Sequence, residues 1–349
     1  MKNSIVIENQ RRRNMAVAKS LPKATEEEIQ SMERGYWRDM FHRILSDWRL
    51  YLLFLPLFFF LVCWKYFPIA SMIVSFKDLQ IDSSFGGGTF TSDFIGFDSF
   101  LFLFQKIDFW TAFRNTFALS FYGLVFGFPF PIILALFFSE IRVKWVRAIA
   151  QVFTYLPKFV SLVVMTTLLS MLLKSSNAEF GTKAGPVAAI FEAMGVEKMI
   201  TQPGAFRSIF TVSGIWSDAG YGSIVYFAAI LGISPTNYEA ARIDGASKMQ
   251  QVRYVTFPGM APTLVIMLIL KMGQLLTIGY EKVILLQGLG CSYITSQTVS
   301  TYVINVVMGD ASMNQGIGAA ADMFNSLLSM LLVIGSNKIS RKVSSTSLF

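Results

Sequence analysis

The chain has 349 residues, 53% of them hydrophobic and only 15% charged, with a formal net charge of +8. That composition is too apolar for a soluble domain of this size, and it reads as an all-α polytopic membrane protein. One histidine (His42) and two cysteines (Cys63 and Cys291) exclude a His/Cys metal cluster, so no metal site is expected, and nothing suggests a disulfide framework. The basic residues lie in short blocks beside apolar runs; they mark topology rather than a stripe for nucleic acid.

Residues 1–25, with Arg11-Arg12-Arg13, are polar and carry no apolar h-region. A disordered tail near anionic lipid is expected there, and no cleavable signal peptide. Over 26–49, Ile29, Met32, Tyr36, Met40 and Ile44 recur at steps of three and four opposite Arg34, Arg38, Asp39 and Arg43. That period predicts an amphipathic elbow helix, seated at the inner interface by Trp37 and Trp48.

Six spans follow, predicted at about 50–76, 112–139, 148–173, 207–233, 261–280 and 316–335 within a domain covering 50–342. The first holds Pro56 and Pro68, expected to kink it, and Lys65, which fits the outer end of a tilted helix or else faces a pathway. A polar loop over 77–110 precedes the second span, whose entry carries Asn115 and Thr116; these either bond a neighbouring helix or line a pathway. Pro129 and Pro131 are expected to bend that span.

The loop over 174–206 contains GPVAAIFEAMG, read as a short helix. After the fourth span, YEAARIDGASKMQQVRYVTFP predicts a helix, a turn at Asp244-Gly245, and a second helix from Ala246 that Pro258 ends. Asp244 is the expected cap of that second helix. In the fifth span Lys271, Gln274 and Thr277 stand at steps of three, on one helical face. The segment 288–315 is a long polar-aliphatic connection, and 343–349 is a tail. Placing both termini inside gives 19 Lys/Arg in the inner segments against 7 in the outer loops. The positive-inside rule then puts 238–258 in the cytoplasm.

Glu239, Ala240, Ala241, Asp244, Gly245, Ala246, Pro258 and Pro262 resemble the EAA signature of binding-protein-dependent, type I ABC importer permeases, with Phe257 replacing the Leu before the first Pro. FIGFDSFLFLF (94–104), FWTAFRNT (109–116) and YLPKFVS (155–161) also look like phrases of that family. The "YEAA-x-IDGA" form and "GYEKV" (279–283) are most similar to its carbohydrate and polysaccharide branch in Gram-positive bacteria. The stretch after Gln287 departs from the family pattern.

The resemblance implies a six-helix permease in the bacterial plasma membrane, with 238–258 as the cytoplasmic coupling segment. Glu239, Ala240, Ala241, Asp244, Gly245, Ala246 and Pro258 would then serve ATPase coupling. Partners implied are a homologous second permease, two ATPase subunits, an extracellular substrate-binding lipoprotein, an oligosaccharide and membrane lipid. The chain has no GxxxxGK[ST], so it binds no cofactor itself and ATP and Mg belong to the partner ATPase. Polar and aromatic residues inside spans give substrate-pathway candidates: Asn115, Tyr122, Trp216, Tyr226, Lys271 and Gln274.

Three other readings compete. The same architecture could carry a non-sugar solute such as a peptide or polyamine. An ion-coupled secondary transporter would need intramembrane carboxylates, for which Glu281 is the one plausible deep candidate. A membrane enzyme is the weakest reading, since one histidine in an elbow gives no catalytic residue set.

Overall fold

A computed structural model of the chain describes residues 46–66, 69, 71–78, 92–176, 183–196, 198–309 and 315–343. The tail over 1–25 and nearly all of the elbow predicted over 26–49 lie outside these, as do 344–349. The chain divides into two units, Met1–Ser71 and Met72–Phe349.

In the first unit, α1 (Trp48–Leu61) continues into a π-turn, Val62–Tyr66. It carries Pro56 within it and buries no residue in its own unit, as expected of a helix that presents apolar side chains to lipid or to another subunit. Its described extent, Trp48–Tyr66, is shorter than the 50–76 predicted, with Ser71–Phe76 forming a separate 3-10 turn.

The second unit is helical among its described residues, apart from one isolated antiparallel bridge between Lys77 and Phe94. After α2 (Asp98–Gln105) comes α3 (Ile107–Tyr122), which passes through a π-turn at Gly123–Gly127 into α4 (Pro129–Glu140). Together they form one helix of 34 residues, Ile107–Glu140, long and apolar enough to span a membrane. Pro129 has no N–H, and its ring crowds the carbonyl four residues back, that of Val125. Val125 is the middle residue of the π-turn, so the wider turn takes up the misfit and the helix runs on.

The span predicted over 148–173 is sharply bent within its length. α5 (Lys144–Tyr155) ends in a 3-10 turn, Leu156–Phe159, and α6 (Leu162–Leu173) departs at 99°. Pro157 lacks the donor needed to prolong α5, while Ser161 starts the new helix by accepting a hydrogen bond from the Val164 N–H at 3.3 Å. The predicted short helix in the next loop is α7 (Pro186–Ala193).

α8 (Ala205–Leu231) is followed by α9 (Pro235–Ile243) at 69°. α10 (Lys248–Gln251), a π-turn at Val252–Thr256 and α11 (Phe257–Gly273) make one continuous helix of 26 residues. α12 (Tyr280–Gln287), α13 (Tyr293–Ser296) and α14 (Val299–Met308) lead to α15 (Gln315–Val343). Within the connection predicted over 288–315, Tyr293–Ser296 and Val299–Met308 are thus helical.

α8 is packed most extensively against α4. Ile132 and Ala135 of α4 meet Tyr226 and Ile230 of α8 and Met260 of α11 in one buried cluster. A second cluster joins Leu103 and Phe109 to Tyr302, Ala320 and Ala321. The third centres on Phe206, Ile209, Val283 and Leu286. Gly220 brings α8 so close to α5 that an added Cβ would overlap the Thr154 carbonyl.

Polar pins complete the packing. Asn115 is fully buried and donates to the backbone carbonyls of Ile294 (2.8 Å) and Gln297 (3.1 Å). It also accepts from Arg207 Nη2 at 3.3 Å. Thr116 accepts from the Val299 N–H at 2.9 Å, completing the start of α14. Replacing Asn115 by Leu leaves the carbonyls of Ile294 and Gln297 and the half-buried Arg207 guanidinium without this partner. We expect a loss of about 1–3 kcal/mol, read as a lower thermal-unfolding midpoint of the detergent-solubilised protein.

Candidate functional site

The segment between α8 and α11 folds as a locked helical hairpin. Pro235 stands in the first turn of α9, where its missing N–H costs nothing. At the other end, the Gly245 N–H bonds the Arg242 carbonyl (3.1 Å) and the Ala246 N–H bonds the Ala241 carbonyl (2.9 Å). Gly245 has φ +78°, the left-handed conformation that this Schellman-type ending requires.

α10 then opens with a capping box. Ser247 Oγ accepts from the Gln250 N–H at 3.4 Å, while the Ser247 N–H donates to Gln250 Oε1 at 2.7 Å. The cap of the second helix is thus Ser247, not Asp244 as the sequence suggested. Asp244 closes α9, its N–H bonded to the Ala240 carbonyl at 3.0 Å, and its side chain is free to sit in solvent because Ser247 is better placed to reach the N3 amide. Gln251 adds a further tie, Nε2 donating to the Ala246 carbonyl at 2.9 Å.

Pro258 departs further from expectation. It does not end the second helix; it lies at the start of α11, inside the continuous Lys248–Gly273 helix. The carbonyl its ring would strike belongs to Tyr254, the middle residue of the Val252–Thr256 π-turn. The hairpin is also tied to its surroundings. Lys248 Nζ lies 2.7 Å from Glu140 Oε2 at the end of α4, and the Tyr238 and Thr256 hydroxyls are 3.1 Å apart. Glu239 and Ala240 are exposed, Ala241 and Ala246 half-buried. Beside them Ile243 is 86% exposed, Met249 76% and Tyr254 67%, an apolar surface on a polar hairpin.

Behind the hairpin, two clefts flank α8. One, of about 350 Å³, is lined by Gly123, Pro131, Gly214, Asp218, Lys271 and Lys282 among others. The other, of about 690 Å³, is lined by Tyr122, Phe126, Phe130, Arg207 and Trp216. Thr211 and Ile215 border both. Of the pathway candidates, Tyr122 and Trp216 share the larger cleft and Lys271 lies in the smaller. Tyr226 is buried in the wall of the smaller one, its ring edge-on to Phe128. Asn115 is a packing pin, and Gln274 lines neither cleft.

The predicted Lys271-Gln274-Thr277 face does not exist, because α11 stops at Gly273 and Gln274 already caps it. Sequence reasoning also missed Asp218, a carboxylate within α8 that pairs with Lys158 at 2.7 Å. It had named Glu281 alone, which is an exposed residue in the first turn of α12. The signal was an Asp inside the apolar phrase IWSDAGYGSIVYF, where a charge demands a partner.

Residues 127–345 match the family described as the binding-protein-dependent transport system inner membrane component, a match that takes in α8, the hairpin and α11. The chain belongs to this family. It is an ABC transporter permease and a membrane-embedded one. Among its relatives, protein LplB of Bacillus subtilis is 29% identical over 303 residues, covering 86% of this chain and 91% of its own length. The polygalacturonan/rhamnogalacturonan transport system permease protein YteP of the same organism is 30% identical over 305 residues, 86% of this chain and 90% of its own. The permease fold is also that of a solved bacterial ABC transporter involved in import of the acidic polysaccharide alginate. That match has a TM-score of 0.75 and 34% identity, over 88% of this chain and 99% of that one.

Within this permease, the hairpin's rigidity rests on its caps. Ser247→Ala removes one and should destabilise the turn by about 1 kcal/mol. In hydrogen exchange, the amides of Ser247 and Gln250 should then exchange roughly fivefold faster, while those of α8 are unchanged.

Proposed function

We propose that this chain is one of two homologous permeases in an ATP-driven importer that takes up an oligosaccharide delivered by an extracellular binding lipoprotein. In this reading the hairpin and both termini face the cytoplasm, and the hairpin docks into one of two ATPase subunits, which hold ATP and Mg. Six crossings result if α5 with α6 counts as one bent span and α8 crosses once, with α9 turning off at 69° into the cytoplasmic hairpin.

A single observation carries the reading. The hairpin is locked at both ends of its turn, and its second arm is continuous with α11, so Lys248 and the cleft at Lys271 are joined by one helix about 35 Å long. A displacement of the hairpin on ATP binding therefore moves the wall of the cleft. Alternating access follows, as rigid spans rock around a central path.

The residues divide the work. Ala240 and Ala241 let a partner's backbone come close, and Glu239 offers it a charge. Ile243, Met249 and Tyr254 supply the apolar contact that an exposed surface of this kind seeks. Gly245, Asp244 and Ala246 hold the turn, and Pro258 with its π-turn keeps the arm unbroken. For the solute, the support is the sugar-polymer transport named for the relatives and the aromatic cleft of Tyr122, Phe126 and Trp216, surfaces on which sugar rings stack.

The test is purification in mild detergent with uptake in proteoliposomes. A second permease and an ATPase should co-purify, and oligosaccharide-loaded binding protein should stimulate ATP hydrolysis. Gly245→Val should reach the membrane in normal amount but lose ATP-driven uptake at least about tenfold, because Val resists a positive φ. A chain that purifies alone and moves solute on an ion gradient overturns the reading.

A further inference from the structure

The smaller cleft beside α8 has a charge that its proposed role does not yet use. Asp218, Lys271 and Lys282 are the charged residues that line it. Asp218 is engaged by Lys158 at 2.7 Å. Lys282 Nζ donates to the Phe210 carbonyl at 2.8 Å and lies 4.3 Å from the Phe210 ring centre. It rests against the bare face of Gly214, where an added Cβ would come within 3.4 Å of the ammonium. These contacts hold Lys282 in place without neutralising it.

Lys271 has no hydrogen bond or ion pair among the described residues, and its side chain is exposed to the cleft. A lysine in the last turn of a helix has an ordinary explanation, since it complements the helix dipole and can reach toward water. That explanation predicts an ammonium turned away from the protein, whereas Lys271 lines a cleft walled by Gly123, Gly127 and Pro131. With Lys158 counted, the set is three ammoniums to one carboxylate in a region whose other walls are largely apolar. Such an excess is costly unless water or an anion answers it, and an ammonium binds a carboxylate strongly where water is scarce.

We propose that the Lys271–Lys282 cleft is a carboxylate-binding subsite on the transport path, and that the solute is an acidic, uronic-acid-bearing oligosaccharide. The proposal rests on the importer reading and adds the chemical class of its solute. Lys271 contacts the sugar carboxylate. Lys282, fixed by Phe210, keeps the cleft positive whichever carboxylate of a chain is passing. Gly214 and Gly123 leave room for a ring. At about 350 Å³ the cleft is at the small end of ligand pockets, suited to part of a chain and not to the whole.

The experiment uses the complete reconstituted transporter with its binding protein. Probes are trisaccharides of galacturonate and of mannuronate, with their carboxyl-reduced, neutral counterparts. The acidic trisaccharides should drive uptake and the neutral ones should not. Lys271→Met should raise the half-saturating concentration of the acidic probe about tenfold, with Lys271→Arg restoring most of it.

A carbodiimide added to the wild-type complex with an acidic probe should leave a probe-dependent amide on Lys271, found by mass spectrometry. That measurement needs no variant to fold. Uptake of neutral probes alone, with Lys271→Met indistinguishable from wild type, overturns the subsite while the importer reading stands. A carbodiimide cross-link from Lys271 to a carboxylate of the second permease, formed without probe, also overturns it. If no sugar of either kind drives ATP-dependent uptake and another solute does, the oligosaccharide reading itself fails and takes the subsite with it.

Discussion

A proline cannot donate a backbone hydrogen bond, and its ring crowds the carbonyl four residues before it, so a proline inside a helix ordinarily breaks or kinks it. α1 carries Pro56 with no wider turn ahead of it, but two other long helices of this chain each place a π-turn just before a proline. Pro129 follows a π-turn centred on Val125, and Pro258 follows one centred on Tyr254. In each case the carbonyl at risk sits in the middle of the wider turn, where the backbone has room to step aside. The consequence is continuity: Ile107–Glu140 and Lys248–Gly273 each run as one element. Without the second π-turn, the hairpin would join α11 across a break.

The packing around these helices suits a solvent that offers neither hydrophobic drive nor hydrogen bonds. Helices approach through glycine, as Gly220 does at Thr154 and Gly222 at Pro131. They are fastened by polar side chains to backbone groups that local structure leaves unpaired. Asn115 on α3 takes up the carbonyls of Ile294 and Gln297, and Thr116 the amide of Val299. Those contacts cross the sequence at long range, so α13 and α14 are held by the span that begins nearly two hundred residues earlier. The charged contacts are fewer and more exposed. Lys248–Glu140 is about half exposed on both sides, which makes it a positioning contact more than a source of stability.

Much of this was legible in the residues. Long apolar runs announced spans, and Gly245 announced a left-handed turn because the good helix formers on either side left no other place for it. The helix hidden in 185–195 could be read from its Pro start and Gly end. What failed was the treatment of proline. Pro157 was passed over and proved to separate two helices at 99°, while Pro258 was read as a stop and proved internal. The residue alone cannot decide this, because the answer depends on whether the preceding turn can widen and on what caps the next helix. Asn115 was read as either bonding a neighbouring helix or lining a pathway; the first holds, and what the residues did not show is that the partners are the distant carbonyls of Ile294 and Gln297. Asp218, Lys271 and Lys282 were legible singly; that they line one cleft depends on α8, α11 and α12 meeting in space.

The central claim is that the hairpin over 238–258 is the point at which an ATPase acts on this chain. The most direct measurement places a photo-cross-linking amino acid at Ile243, the most exposed apolar residue of the hairpin, in intact membranes. The account predicts an adduct with the ATPase subunit that forms in every nucleotide state and whose contact peptide shifts when ATP is bound. An adduct with lipid or with an extracellular protein, and none with an ATPase, would contradict it.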